Sequence, residues 1–129
     1  MNKYVTYLKE AGNVLPVEEA LQIYEDVIET VEKCAIEDKN DFYNSMINRA
    51  CRYASIRCDW EFMSREERME ADPGRTSAHN AFIDSLNILS RLIKSDGIET
   101  SWREQLGEER KRIGDFACFV AYITGISNR

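Results

Sequence analysis

Apolar side chains recur every three or four residues along most of this chain, and no stretch alternates apolar with polar as a half-buried strand would. Residues 75–94 show the pattern most fully. Wound as an α-helix, residues 78–94 place Ala78, Ala81, Phe82, Ser85, Leu86, Ile88, Leu89, Leu92 and Ile93 in one broad arc. Asn80, Asp84, Asn87, Arg91 and Lys94 fall in a narrow strip opposite. An arc that wide needs more than one neighbour, so a central helix is expected over about 76–95. Thr76 or Ser77 would cap its start after a turn at Pro73-Gly74, and Gly97 would end it by taking a positive φ.

The same period predicts three more long helices. One covers about 16–37, with Val17, Ala20, Leu21, Ile23, Tyr24, Val27, Ile28 and Val31 facing a core. The next covers about 41–63, where Phe42, Met46, Tyr53, Ile56 and Trp60 share a face into which Arg49 and Arg57 also project. The last covers about 108–124 and is apolar nearly all round from Phe116 to Ile123, with Gly114, Ala117 and Ala121 small enough to admit a close neighbour. Shorter helices are expected at 2–10, through Tyr4, Val5 and Leu8, at 65–71, behind a capping box formed by Ser64 and Glu67, and at 101–106, where Trp102 folds inward. The resulting expectation is an all-α fold: one domain over 1–129, an antiparallel bundle of four main helices, with 76–95 and 108–124 side by side and most buried.

A length of 129 residues suffices for one sizeable core. The opening M-N-K-Y-V-T-Y-L-K-E lacks the apolar centre of a signal peptide, and the most apolar run, Gly114 to Ile126, is short of the ~20 residues a bilayer needs. A soluble, cytoplasmic protein is therefore expected, with no membrane contact. Cys34, Cys51, Cys58 and Cys118 form no C-x-x-C pair and read as core residues of a reducing compartment. Cys51 and Cys58 with His79 do not have the spacing of a standard zinc site, so neither metal nor cofactor is expected.

Charge changes the picture in one place. The whole excess of −6 lies in residues 1–48, which hold four basic and ten acidic side chains. Glu18, Glu25, Glu29 and Glu32 form a ridge along the helix over 16–37. Like charges one turn apart repel by a few tenths of a kcal/mol, so the ridge is either a plain solvated face or a surface meant for a basic partner.

The remaining candidates are polar residues on apolar helices. A buried Arg57 needs an acid, and Asp115, the sole charge in the run from Gly114 to Ile126, is the first choice, with Asp84 the second. His79, the only histidine, reads as a general base or ligand, or more plainly as a boundary residue bonded to a neighbouring helix. Asn80, Asp84, Asn87 and Arg91 make either a solvated strip or a polar groove. Arg103, Arg110, Lys111 and Arg112 form a basic spot, too small for nucleic acid on an acidic chain.

Phosphate-binding, dinucleotide, nucleophile-elbow and zinc-protease motifs are all absent. The stretches R-T-S-A-H-N-A-F-I-D-S-L-N-I-L-S-R and R-K-R-I-G-D-F-A-C-F-V-A-Y-I-T-G-I resemble small uncharacterised helical proteins of bacteria and their phages. That resemblance covers the last third to half of the chain, implies a helical fold in a phage or mobile-element setting, and carries over no catalytic residue. The leading expectation is a non-enzymatic interaction or regulatory module that docks a protein partner on Glu18, Glu25, Glu29 and Glu32; self-association is a second form such docking could take. The rival is a small anionic-ligand or hydrolytic site on Arg49, Arg57, His79, Asp84 and Arg91, with Asn87 and Asp115 beside them. Contact with nucleic acid through Arg103 and Arg110 to Arg112 is the weaker third.

Overall fold

The computed structural model describes residues 3–10 and 13–125; Asn2 and Ile126, which the sequence places in an opening helix and in the last apolar run, lie outside them. Among the described residues the chain forms six helices and no strand: α1 (Lys3–Glu10), α2 (Val17–Lys33), α3 (Lys39–Trp60), α4 (Arg65–Ser95), α5 (Trp102–Leu106) and α6 (Arg110–Thr124). None is long and apolar enough to cross a membrane.

Six helices stand where periodicity predicts seven, because 65–71 and 76–95 are one helix. Pro73 lies inside α4, and Thr76 and Ser77 are mid-helix residues rather than caps. Proline has no N–H to give the carbonyl one turn back, a defect worth ~3 kcal/mol in a helix interior. The turn around it is exposed at Met69, Glu70, Asp72, Pro73 and Gly74, so water can serve the freed carbonyl. Contacts with α3 hold the two sides together. Arg68 and Arg75 both lie over the Trp60 ring, at 5.6 and 4.5 Å, and Arg68 Nε donates to the Trp60 carbonyl. The capping box forms as expected: Ser64 Oγ accepts from the Glu67 N–H and Glu67 Oε1 accepts from the Ser64 N–H.

The ends of the other helices follow local chemistry. Pro16 precedes the first turn of α2, where a missing N–H costs nothing. That helix stops at Lys33, short of the expected 37, because Cys34 turns extended. The Ala35 N–H then donates to Asp96 Oδ2, which fastens the end of α2 to the end of α4. Gly97 ends α4 with φ +80° and Gly125 ends α6 with φ +66°, both in the left-handed region that a side chain disfavours.

The core draws on all six helices. Its middle is α3, which packs extensively against both α4 and α6; these two, expected side by side as the central pair, meet more narrowly. Two aromatic contacts mark this arrangement: Tyr53 of α3 lies against Phe82 of α4 at 6.4 Å, and Phe82 stacks on Phe116 of α6, with ring planes 22° apart. Every residue from Ile113 to Ala121 is buried. The buried face of α1 is Tyr4 and Tyr7, with Val5 and Leu8 only partly covered. Trp102 of α5 is fully buried and donates its indole N–H to Thr30 Oγ1 of α2.

Candidate functional site

Glu18, Glu25, Glu29 and Glu32 are all exposed on α2. The Lys33 ammonium, hydrogen-bonded to Glu29 at 2.8 Å, holds that carboxyl below its ordinary range; Arg112 does the same for Glu19. Beside the ridge lies an open groove of about 410 Å³, lined by Leu21, Tyr24 and Ile28 of α2 and Ile123 of α6, with Glu25, Glu29 and Glu32 completing its wall. Leu21 and Ile123 are 39% and 45% exposed, and Tyr122 and Val17 are similarly open. The expectation that α6 is buried through Ile123 therefore fails after Ala121, because the last turn of α6 borders this groove and, among the described residues, no helix covers it.

A second arrangement is wholly interior. Arg57, 8% exposed, donates to the hydroxyls of Tyr53 and Tyr7, both at 3.2 Å. Tyr7 in turn donates to Asp115 Oδ1 at 2.8 Å. The other carboxylate oxygen, Oδ2, accepts the N–H groups of Val14 and Leu15 at 2.7 and 3.1 Å. Arg57 thus reaches the acid expected for it, but through a tyrosine hydroxyl and not by a direct ion pair. Burial raises the Tyr7 hydroxyl pKa well above its usual value, so it stays a neutral donor and acceptor at any ordinary pH. Room for the guanidinium comes from Gly114, where a Cβ would overlap Arg57. Gly114 therefore admits a side chain, not the backbone of a neighbouring helix.

His79 is buried edge-on to Tyr53, with ring centroids 5.3 Å apart. Its Nδ1 is 3.4 Å from Asn80 Oδ1. Burial lowers the imidazole pKa, and Arg110, Arg57 and Arg75 lower it further against the opposing Asn80 contact. The rest of the polar strip does not join this cluster: Asp84 and Arg91 are exposed on α4, and Arg49 is exposed on α3. Asn87 accepts from Arg103 Nε at 2.6 Å.

Structural bonds occupy half of the basic spot. Arg103 is buried and also donates to the Gly107 carbonyl and Glu108. Arg112 donates to the Leu106 and Gln105 carbonyls and pairs with Glu19. Arg110 and Lys111 remain exposed. The four cysteines are free and buried, with the sulfurs of Cys58 and Cys118 3.7 Å apart. Among the described residues, no three His, Cys, Asp or Glu side chains come together as a metal site.

The sequence singles out Arg57, His79 and Asp115 and puts Tyr53 on the face that Arg57 shares, but it does not reveal Tyr7, which joins Arg57 to Asp115. Tyr7 carries no signal of its role, since its partners Arg57 and Asp115 lie 50 and 108 residues away. Compared with known proteins, the chain matches no family model, no curated protein and no solved structure.

Proposed function

We propose that this protein is a non-enzymatic interaction module that takes a basic amphipathic helix into the groove between α2 and α6. The observation that carries the reading is the apposition of exposed apolar side chains, Leu21 and Ile123, with Glu25, Glu29 and Glu32 along one wall. An apolar floor supplies contact area, and a row of carboxylates selects lysine or arginine on the incoming face. Arg49, Asp84 and Arg91 each stand open to solvent, so the rival anionic site on those residues gains no support from the geometry. The nucleic-acid reading loses Arg103 and Arg112 to internal bonds.

The same reading takes the four long helices as an antiparallel bundle, for which the tight turn at 61–64 between α3 and α4 is the support. A cytoplasmic setting is favoured by four unpaired buried cysteines. Association with a phage or mobile element rests on the sequence resemblance alone.

The test is fluorescence anisotropy with a synthetic leucine- and lysine-rich amphipathic helix and a sequence-scrambled control. Binding should weaken about tenfold or more in the Glu25→Gln/Glu29→Gln/Glu32→Gln variant, and separately in Leu21→Asp, consistent with desolvated charge and apolar anchors each contributing a kcal/mol or more. Equal binding of the scrambled peptide, or unchanged binding by both variants, overturns the reading. Light scattering run alongside shows whether a second copy of the chain occupies the groove, which also overturns it.

A further inference from the structure

Independently of the groove, the junction of α3, α4 and α6 gathers cationic side chains that no carboxylate pairs. Arg57 comes from α3, Arg75 and His79 from α4, and Arg110 from the first turn of α6. Tyr53 ties two of them together: it holds the Arg57 guanidinium over its ring at 5.6 Å and the His79 imidazole edge-on at 5.3 Å. Arg75 is laid over Trp60, two helical turns beyond Tyr53 along α3, and stands one turn before His79 on α4. Among the described residues none of the four makes an ion pair.

Three of these side chains also hold a buried nitrogen with no hydrogen-bond partner in the protein: Arg75 Nε and His79 Nε2, and Arg57 Nε, which is turned against Gly114 of α6. A buried polar group left unbonded costs on the order of 1–3 kcal/mol, and like charges gathered in one place add repulsion. Arg57 and His79 are 8% and 9% exposed, while Arg110 is open to solvent, so the cluster runs from the interior to the surface. The mutual influence is visible in the lowered proton affinities of His79 and Arg75, each led by burial and reinforced by the neighbouring arginines. Two carboxylates bear on the cluster: Asp72, one turn before Arg75, and Asp115, which reaches Arg57 through the Tyr7 hydroxyl.

We propose that this junction is an oxyanion site that takes a phosphoryl group, held by Arg75 and Arg110 at the mouth with His79 and Arg57 behind. With Arg57 balanced through Tyr7 by Asp115, Arg75 and Arg110 face Asp72 alone and leave the mouth positive, and guanidinium forks match phosphate oxygens two at a time. An imidazole next to a bound dianion takes up a proton and becomes a further donor.

Because His79 is the chain's only histidine, its imidazole signals report on the site without assignment ambiguity. The experiment titrates the intact protein with inorganic phosphate at constant ionic strength, with sodium chloride and sodium acetate as controls, and follows the His79 resonances by NMR. Phosphate should shift them saturably and raise the imidazole titration midpoint. Arg75→Gln and Arg110→Gln, which replace half-buried and exposed side chains, should each weaken the effect about tenfold or more. Phosphoserine titrated in parallel distinguishes a phosphomonoester from the free ion, the tighter of the two identifying the source. No shift beyond chloride, an equal response to acetate, or an unchanged response in the Arg75→Gln/Arg110→Gln double variant overturns the assignment.

Discussion

Gly114 lies against the Arg57 guanidinium so closely that a methyl group at position 114 would overlap Nε, Cζ and Cδ of the arginine. The glycine sits inside α6, where alanine would ordinarily be favoured by ~1 kcal/mol. Gly114→Ala should nonetheless destabilise the protein. Overpacking costs about 1–3 kcal/mol, and displacing the guanidinium also sacrifices its bonds to Tyr53 and Tyr7. Urea denaturation followed by tryptophan fluorescence measures the difference. A variant as stable as the parent would mean that Arg57 can leave freely.

Asp115 should be the costliest single polar residue to remove. Asp115→Ala strands the Tyr7 hydroxyl and the Val14 and Leu15 N–H groups, and a loss of about 3–5 kcal/mol is expected for a buried charge with these partners. Tyr7→Phe deletes one link and should cost less, about 1–3 kcal/mol. The reverse order in denaturant midpoints would contradict the network as described.

How far the sequence reveals this structure depends on the range of the interaction that decides each feature. The Ser64–Glu67 box, the glycine at 97 and the apolar arc of Phe82, Leu86, Leu89 and Ile93 are decided within a few residues of themselves, and each can be read from the chain. Pro73 signals a break by every local rule, yet the helix continues because Arg68 and Arg75 clasp Trp60 from either side of it. Arg49 and Arg57 share a face by periodicity, but one is exposed and the other buried. Arg57 is enclosed by Gly114 of α6 and Tyr7 of α1, and no local pattern encodes where those elements cross α3. The interior cluster is legible in its charged members and illegible in Tyr7, which lies 108 residues from Asp115.

His79 should make stability fall on the acid side of neutrality. Its folded proton affinity is lowered by burial and by Arg110, Arg57 and Arg75, whereas in the unfolded chain it titrates near about pH 6.5. As pH drops through that value the unfolded chain takes up a proton that the folded one resists, and the balance shifts toward unfolding. The loss should continue until pH reaches the lowered folded value. Chemical denaturation between neutral and mildly acidic pH, in phosphate-free buffer, should show a slope that His79→Gln reduces. Identical slopes would place the histidine's neutral form under no special protection.

The thiols should be inert while the protein is folded. Burial raises the Cys118 thiol pKa, assisted by its contact with Cys58, and a thiol rather than a thiolate reacts slowly with disulfide reagents. Ellman's reagent should therefore label none of the four cysteines quickly in native buffer and all four in denaturant. Rapid labelling of Cys58 or Cys118 under native conditions would show that α3 and α6 separate readily.

The bond from Tyr7 to Asp115 also has a consequence for biogenesis. On the ribosome α1 is made before α6, so the aspartate and the apolar run that shelter it emerge about a hundred residues later. A nascent chain must hold Tyr4 and Tyr7 without their final cover until that late segment clears the exit tunnel. Docking of α1 onto α6 is then a late event, and chaperones have their longest opportunity at α1.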